Sequence, residues 1–316
     1  RTPIKVIRMK KMVSDSSYKR ITHLKVLWEN TQPFIQIYDH DSAKITMQSL
    51  IGYSLSYQVP TPSERVCVNY GDLLQAEKQN RCEKIVKSGK KCDNCIREDN
   101  IFASQFHSVH KKDRSSISQK ILKRMQKENI LYIAGFFDGS TKVGTSASNR
   151  IQTRLLEQGA IHAVLVVETP DGITVRLLED LITEELGIGQ AVSIGKKIDG
   201  LLKPLMRDAL QKELKIISRK VKDCIATSGI TDITEITSTW DNEYSAETCW
   251  DTIQKYPISL ASGSHDLKVK SVVGRVAALS HNSGMTLAAD LNELLGITVE
   301  SGKIAGDEIS VQAQLF

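Results

Sequence analysis

The stretch from Ile130 to Gly229 constrains the fold most, because turn and capping residues divide it into short segments of definite type. Asp138-Gly139 separates two apolar runs as a hairpin turn does, and Gly159 and Gly187 stand where helices usually stop. The pattern predicts a mixed α/β unit with these elements in order: strands over Leu131–Phe137 and from Lys142–Gly144, a helix capped by Ser146 or Ser148 and running to Gln158, a strand over Ile161–Glu168, a helix over Thr174–Leu186, and a long helix from Pro204 to about Ala226.

The segments on either side of this unit differ from it in pattern. The first sixty residues predict four strands, Leu24–Trp28, Pro33–Tyr38, Lys44–Met47 and Ile51–Val59, before Pro60-Thr61-Pro62 breaks the pattern. A basic, cysteine-bearing segment follows, with a helix predicted over Ser116–Lys127. The last segment predicts a small β module, with strands over Leu267–Leu279 and Thr298–Val311. We therefore predict a multidomain α+β protein divided at 1–64, 65–127, 128–229 and 230–316.

Charge is distributed unevenly along the chain. Residues 1–127 carry a net formal charge of +12, whereas residues 221–316 carry −7. A strongly basic portion favours a polyanion as partner, and nucleic acid is the default polyanion; a solvated basic surface is the alternative. Within this portion, Lys90, Lys91, Lys111 and Lys112 are the candidate nucleic-acid contacts.

The chain offers no segment suited to a bilayer. Its longest apolar run, Ile161–Val167, contains His162 and has the length of a strand, far short of the ~20 residues that a spanning helix needs. The basic start, Arg1–Lys11, lacks the apolar run of a secretory signal. We therefore expect no membrane association and a cytoplasmic location.

Four cysteines with the spacing C-x14-C-x9-C-x2-C suggest a metal site: Cys67, Cys82, Cys92 and Cys95. A C-x-x-C turn presents two thiolates on one side of the backbone, and the other two cysteines would complete a tetrahedral zinc site with a structural role. The alternative is a buried strand cysteine at Cys67 beside a redox pair at Cys92 and Cys95. His107 or His110 could replace Cys67, although the adjacent lysines favour surface histidines. Cys224 and Cys249 are interpreted as core thiols.

The central unit also carries residues suited to phosphate chemistry. Arg150, Arg154 and Gln158 fall on one line of the predicted helix, and two guanidinium groups one turn apart suit phosphate oxygens. Glu179 lies at the edge of an apolar helix face, and the Tyr132 hydroxyl sits within an apolar strand, so both need partners. Each also has a plain structural explanation: a strand aromatic, a paired helix-edge carboxylate and a solvated basic face.

The order of these residues resembles that of the GIY-YIG nuclease superfamily. The resemblance is carried by Ile130-Leu131-Tyr132, then Lys142-Val143-Gly144, then the arginine helix and Glu179, over about 60 residues. An uncharacterised prokaryotic branch of unknown function, which also carries upstream cysteines, is similar more loosely over most of the chain. The resemblance implies a GIY-YIG-like α/β sandwich core, flanked by the N-terminal β and zinc-binding region and by the C-terminal β module.

The resemblance further implies metal-assisted cleavage of a phosphodiester. Glu179 would hold a divalent ion, Mg²⁺ or Mn²⁺, Tyr132 would position or deprotonate the attacking water, and Arg154 would offset charge on the phosphorane, with Arg150 as a competitor for that role. Lys142 stands where the family has its second tyrosine. Lys142 either helps to neutralise the charge of the phosphate or indicates a site that binds nucleic acid without cleaving it.

Three functions are consistent with these observations. The first is a zinc-containing, metal-dependent endonuclease that binds DNA or RNA through its basic segments. The second is a zinc-containing nucleic-acid-binding or ribosome-associated adaptor whose GIY-YIG-like site no longer cleaves. The third is a protein-interaction module that uses its acidic end as the partner surface.

Overall fold

The structure is a computed structural model that describes residues 18–69, 82, 84–106 and 108–307. The basic start at Arg1–Lys11, His107 and the last residues of the predicted strand Thr298–Val311 lie outside these ranges. Within them the chain forms the strands β1 (Lys19–Glu29), β2 (Gln32–Asp39), β3 (Lys44–Ser49), β4 (Ser54–Gln58), β5 (Asn129–Gly135), β6 (Thr141–Ala147), β7 (His162–Thr169), β8 (Thr234–Asp241), β9 (Gln254–Lys255), β10 (Ser264–Val273), β11 (Val276–His281), β12 (Thr286–Asp290) and β13 (Thr298–Ser301). The α-helices are α1 (Asp93–Phe106), α2 (Gln119–Met125), α3 (Ile151–Gln158), α4 (Thr174–Leu186), α5 (Ile194–Leu202) and α6 (Arg207–Thr227).

The α+β class predicted from the sequence is confirmed, with the strands arranged in two sheets. The larger sheet has nine strands in the order β3-β2-β1-β13-β4-β10-β11-β12-β9, and the smaller has four in the order β6-β5-β7-β8. Every pair is antiparallel except β9 with β12. Along β10 the buried and accessible side chains alternate before three buried residues end the strand, as expected where one sheet face covers a core.

The first and last segments of the chain share the larger sheet. Strand β1 pairs with β13 in a register that places Ile21 opposite Val299, and β4 pairs with both β10 and β13. The strands predicted for a separate C-terminal β module therefore complete a sheet begun by β1–β4. Sequence patterns report the type of each strand and not its partner, which is why these two segments looked independent. The boundaries of the four-part division remain a prediction.

The smaller sheet supports the helices that surround the candidate site. Strands β5 and β6 form the predicted hairpin around Asp138-Gly139, and β7 and β8 extend it on the other side of β5. Helices α4 and α6 cover this sheet through Leu178, Ile182, Leu210 and Leu214, all of which are fully buried. Burial of side chains of this size stabilises the fold by roughly 1.5–3 kcal/mol each, which fixes the helices over the sheet.

One apolar core joins the two sheets. Leu131 and Leu178 of the smaller sheet and its helices cluster with Val273 and Val276 of the larger sheet. The contact is closest where Gly159, which ends α3 at φ 67°, meets the turn at Gly274: a Cβ on Gly159 would lie 3.2 Å from the Gly274 backbone. Helix α3 is therefore anchored at its carboxyl end against the larger sheet.

Several predicted helix limits differ from those in the structure. The helix predicted over Ser116–Lys127 is confined to α2, and the helix predicted from Pro204 begins three residues later as α6. Neither Ser146 nor Ser148 caps a helix with its side chain; the Ser148 hydroxyl instead donates to Glu168 at 2.7 Å. Helices α1 and α5 were not predicted, although Ser193 does cap α5 by accepting from the Lys196 amide.

Candidate functional site

A cavity of about 610 Å³ opens beside the β5–β6 hairpin. Four of the predicted catalytic residues line it together: Tyr132 from β5, Lys142 from β6, Arg154 from α3 and Glu179 from α4. We call it the Tyr132 cavity. Gln158 and Arg176 line it as well, one helical turn from Arg154 and from Glu179 respectively. The structure therefore brings the residues that carry the sequence resemblance to one place.

Tyr132 lies in the middle of β5, fully buried, with Gly144 directly opposite on β6. A Cβ on Gly144 would lie 2.6 Å from the ring and hydroxyl of Tyr132, a distance that real Cβ atoms do not adopt. Gly144 lies within the strand that the sequence predicted, and it leaves the space that the tyrosine ring occupies.

The carboxamide of Gln158 connects Tyr132 to Arg154. Oriented so that both its ends have partners, it accepts from the Arg154 Nε and Nη2 at 2.9 and 3.2 Å, and its nitrogen donates to the Tyr132 hydroxyl at 2.9 Å. Burial raises the pKa of Tyr132 to about 12, against the opposing effect of the Arg154 charge. The phenol is therefore protonated near neutral pH and acts as a hydrogen-bonding group rather than as a resting base.

Lys142 and Glu179 place opposite charges in the same cavity. Lys142 is only 8% exposed, and burial lowers its pKa to about 8. Burial raises the pKa of Glu179, while the neighbouring charges of Arg176, Lys142 and Arg154 lower it. Within the described part of the chain, neither the Glu179 carboxylate nor the Lys142 ammonium forms a hydrogen bond or a salt bridge. Groups of this kind are costly to bury, so they are expected to face a polar ligand or water.

Arg150 does not line the Tyr132 cavity. It ends a 3-10 turn, Ser148–Arg150, just before α3, and its guanidinium pairs with Glu157 at 3.2 Å while its side chain is 60% exposed. The even helical line predicted for Arg150, Arg154 and Gln158 is therefore broken at its start. Arg154, the second arginine of that line, reaches the cavity and Arg150 points elsewhere.

The opposite wall of the Tyr132 cavity comes from the cysteine-bearing segment. The Nε2 of His110 donates to the Asp180 carboxylate at 2.9 Å, and the Lys111 ammonium lies 2.8 Å from the same carboxylate. Although burial acts to raise it, hydrogen bonds from Lys111 and His110 lower the pKa of Asp180 to about 2. The expectation that His110 is a surface histidine is wrong, since its side chain is 4% exposed. Asp180 also lines the cavity.

Few sequence features predict this second wall. His110 and Asp180 are far apart in the chain, and their contact depends on how the cysteine-bearing segment packs on α4. Arg176 could have been identified from the sequence, because it precedes Glu179 by three residues on the same predicted helix and therefore shares its face.

The four lysines predicted to contact nucleic acid lie in different places. Lys111 lines the Tyr132 cavity, and the Lys112 ammonium donates to the Ser104 carbonyl oxygen at 3.4 Å nearby. Lys91 pairs with Asp99 of α1 at 2.5 Å. Lys90 is half-buried, and burial lowers its pKa to about 8. Only Lys111 therefore joins the cavity that holds the predicted catalytic residues.

The four predicted metal-ligating cysteines come together. The sulfur atoms of Cys67, Cys82, Cys92 and Cys95 all lie within 4.8 Å of one another, and none is in a disulfide. Tetrahedral zinc with Zn–S bonds of about 2.3 Å would hold its sulfurs roughly 3.8 Å apart, close to the 3.7 Å between Cys82 and Cys92. These four side chains could therefore hold a metal ion such as zinc. We call them the cysteine cluster.

The local backbone structure of the cysteine cluster suits metal binding. Cys92 immediately precedes α1, its amide donates to the Cys67 sulfur at 3.3 Å, and the Cys95 amide lowers the pKa of Cys92 to about 7. Burial raises the pKa of Cys95 to about 12. Cys224 and Cys249, expected to be core thiols, are half-buried and lie apart from the cluster.

None of the helices described has the length and apolar character needed to cross a bilayer.

Comparison with known families places this chain in one of them. Residues 52–256 match the family described as "Protein of unknown function (DUF2797)". The match covers more than half of the chain, including the cysteine cluster and the predicted catalytic residues, so the chain belongs to this family. Neither the curated proteins nor the solved structures give a match.

Proposed function

We propose that the Tyr132 cavity binds a phosphodiester of nucleic acid and hydrolyses it, as a GIY-YIG-type endonuclease would. The observation that carries this proposal is the placement of Lys142 and Glu179, which lack hydrogen bonds within the described chain, in the same cavity as Tyr132 and Arg154. A carboxylate, a phenol and several cations around one open space are the groups that phosphodiester hydrolysis uses.

The cations of the cavity suit a phosphate. Lys142, Arg154, Arg176 and Lys111 all line it, so a bound phosphate oxygen would meet a positive potential at several points. Arg154 is already oriented by Gln158 through two hydrogen bonds. A guanidinium held in this way can offset charge that develops on the phosphorane without reorganising during the reaction.

Tyr132 would orient the attacking water. Its hydroxyl is neutral near pH 7, so in the resting site it holds the water by a hydrogen bond. The water oxygen attacks phosphorus and gives up a proton to solvent, the bond from phosphorus to the leaving sugar oxygen breaks, and that oxygen takes a proton from solvent. Arg154 acts to lower the pKa of Tyr132, which favours loss of the phenol proton.

Glu179 fits the role of metal ligand through its chemistry. Asp180 is occupied by His110 and Lys111, whereas the Glu179 carboxylate has no such partner in the described residues. When bound there, Mg²⁺ or Mn²⁺ would supply positive charge to the scissile phosphate and the leaving oxygen. A single protein carboxylate suffices for such an ion, because Mg²⁺ commonly keeps several waters and takes phosphate oxygens as ligands.

A second candidate function is a non-catalytic adaptor that binds nucleic acid through the same cavity. Lys142 favours it, because a cation there replaces the second tyrosine of the GIY-YIG pattern and strengthens phosphate binding without aiding proton transfer. We further propose that the cysteine cluster holds a structural zinc ion in either case, since four protein ligands leave no open position for chemistry.

The deciding experiment compares two isosteric charge removals on α4. We expect Glu179→Gln to lower Mg²⁺- or Mn²⁺-dependent cleavage of DNA and RNA panels by about 10³-fold or more while oligonucleotide binding survives. Glu185→Gln, on the exposed side of the same helix, should cleave like the wild type. Equal cleavage by Glu179→Gln and wild type would exclude the nuclease, and binding without any cleavage by the wild type would establish the adaptor.

A further inference from the structure

A second cavity of about 250 Å³ adjoins the Tyr132 cavity. We call it the Arg150 cavity, after the arginine that lines it and not the first. We propose that the Arg150 cavity binds the phosphate next to the scissile one, so that the protein takes a nucleic-acid strand across two phosphate sites. This inference rests on the proposed function and adds the second subsite.

The charges of the two cavities differ. The cations that line the Arg150 cavity are Lys127, Arg150, Arg154 and Arg176, and among the residues that the structure describes no carboxylate lines it. The Tyr132 cavity contains carboxylates from Glu179 and Asp180. A concave surface lined by four cations attracts an anion, and its positive potential disfavours a metal ion. Its chemistry is that of binding a phosphate.

The two cavities are continuous in their walls. Thr145, Arg154 and Arg176 line both of them. The two arginines therefore form the partition between the sites and can contact phosphates on either side. A strand with one phosphate in the Tyr132 cavity would place its neighbouring phosphate at the Arg150 cavity, whereas a ligand with one phosphate fills only one site.

The floor of the Arg150 cavity is fixed by close packing. The Gly172 amide donates to the Met125 carbonyl oxygen at 2.7 Å, and a Cβ on Gly172 would lie 2.7 Å from the Met125 Cε. This contact places the end of α2, and with it Lys127, against the start of α4. The arrangement also gives a role to Arg150, which the Tyr132 cavity leaves unused. Its pairing with exposed Glu157 leaves Arg150 accessible to a ligand, since a solvent-exposed ion pair of this kind is weak.

The test measures binding of thymidine 5′-phosphate and thymidine 3′,5′-bisphosphate to the full chain by calorimetry. We expect the wild type to bind the bisphosphate roughly 3- to 10-fold more tightly, beyond the statistical factor of having two phosphates. The double variant Lys127→Gln/Arg150→Gln should lose this preference but keep its affinity for the monophosphate. Lys142→Gln should instead weaken both ligands.

Arg219→Gln, an equal change of charge at an exposed position of α6, is the control and should keep the preference. A wild type without preference, or a double variant that retains it, overturns the second subsite. These results are separable from the cleavage assay: cleavage without the preference leaves the nuclease and removes the subsite, and the preference without cleavage leaves two phosphate sites on an adaptor.

Discussion

The cysteine cluster and the Tyr132 cavity are built in opposite ways. The cluster collects four like side chains, whose sulfurs all approach one another within 4.8 Å. The cavity collects unlike charges from β5, β6, α3 and α4 around an open space, and leaves Lys142 and Glu179 without hydrogen-bond partners in the described chain. Four thiols that converge on one point can share a metal ion and so stabilise a fold. Charged side chains that line an open cavity are instead available to a substrate.

The largest expected effect is a loss of stability when the cysteine cluster is disrupted. Structural zinc sites contribute on the order of 10 kcal/mol of apparent folding free energy, so Cys95→Ser should lower the free energy of unfolding by several kcal/mol and abolish zinc binding. Zinc content and urea denaturation measure this. Cys249→Ser is the control and should cost less than about 1 kcal/mol. Protein that lacks zinc and iron, with all four native thiols titrating freely, would contradict the metal site.

The next largest effect concerns the rate of cleavage in the Tyr132 cavity. Arg154→Ala should slow cleavage by about 10²–10³-fold, because it removes a contact worth roughly 2–4 kcal/mol in the transition state. The melting temperature should change little, since Arg154 is largely exposed. Single-turnover kinetics measure the rate, and Arg150→Ala should slow it less. A larger loss from Arg150→Ala would reverse the two assignments.

Gly144→Ala tests both properties at once. The added methyl group would meet the Tyr132 ring at 2.6 Å, so we expect a loss of about 1–3 kcal/mol in stability together with slower cleavage as the phenol is displaced. Gly195→Ala in α5 has open space around its Cβ and should be neutral or stabilising. Thermal and urea unfolding measure the stability. If Gly144→Ala were as stable as the wild type, the strand would accommodate the methyl group at little cost, contrary to this prediction.

The smallest effect is a pH dependence of binding. The pKa of Lys142 is lowered to about 8 by burial, so its positive charge is present below pH 8 and lost above it. Oligonucleotide affinity should therefore fall by up to about tenfold between pH 7 and 9, as one phosphate contact weakens. Fluorescence anisotropy at constant ionic strength measures it. Lys142→Gln should bind more weakly with a flatter profile. An unchanged profile would assign the titration to another group, such as Lys197, whose pKa burial also lowers to about 8.

Local features of the sequence predicted much of the fold and of the site. The β5–β6 hairpin, the helix stops at Gly159 and Gly187 and the approach of the four cysteines follow from short-range patterns, and the structure contains all of them. The contact between His110 and Asp180 and the pairing of β1 with β13 were not predicted. Both join residues distant in sequence, and neither periodicity nor turn chemistry specifies which distant surfaces meet. The role of Gly144 was missed for a similar reason, since it depends on the ring across the hairpin.

The pairing of β1 with β13 determines the order in which the larger sheet can be completed. Lys19 and Ser301 are partners although about 280 residues separate them, so a growing chain makes β1, β2 and β3 long before β13 exists. Until then β1 presents one edge of unpaired amides and carbonyls, which is the kind of edge that pairs with other chains. Closure of so distant a contact also slows folding. A nascent chain therefore depends on protection of that edge until its last described strand has been synthesised.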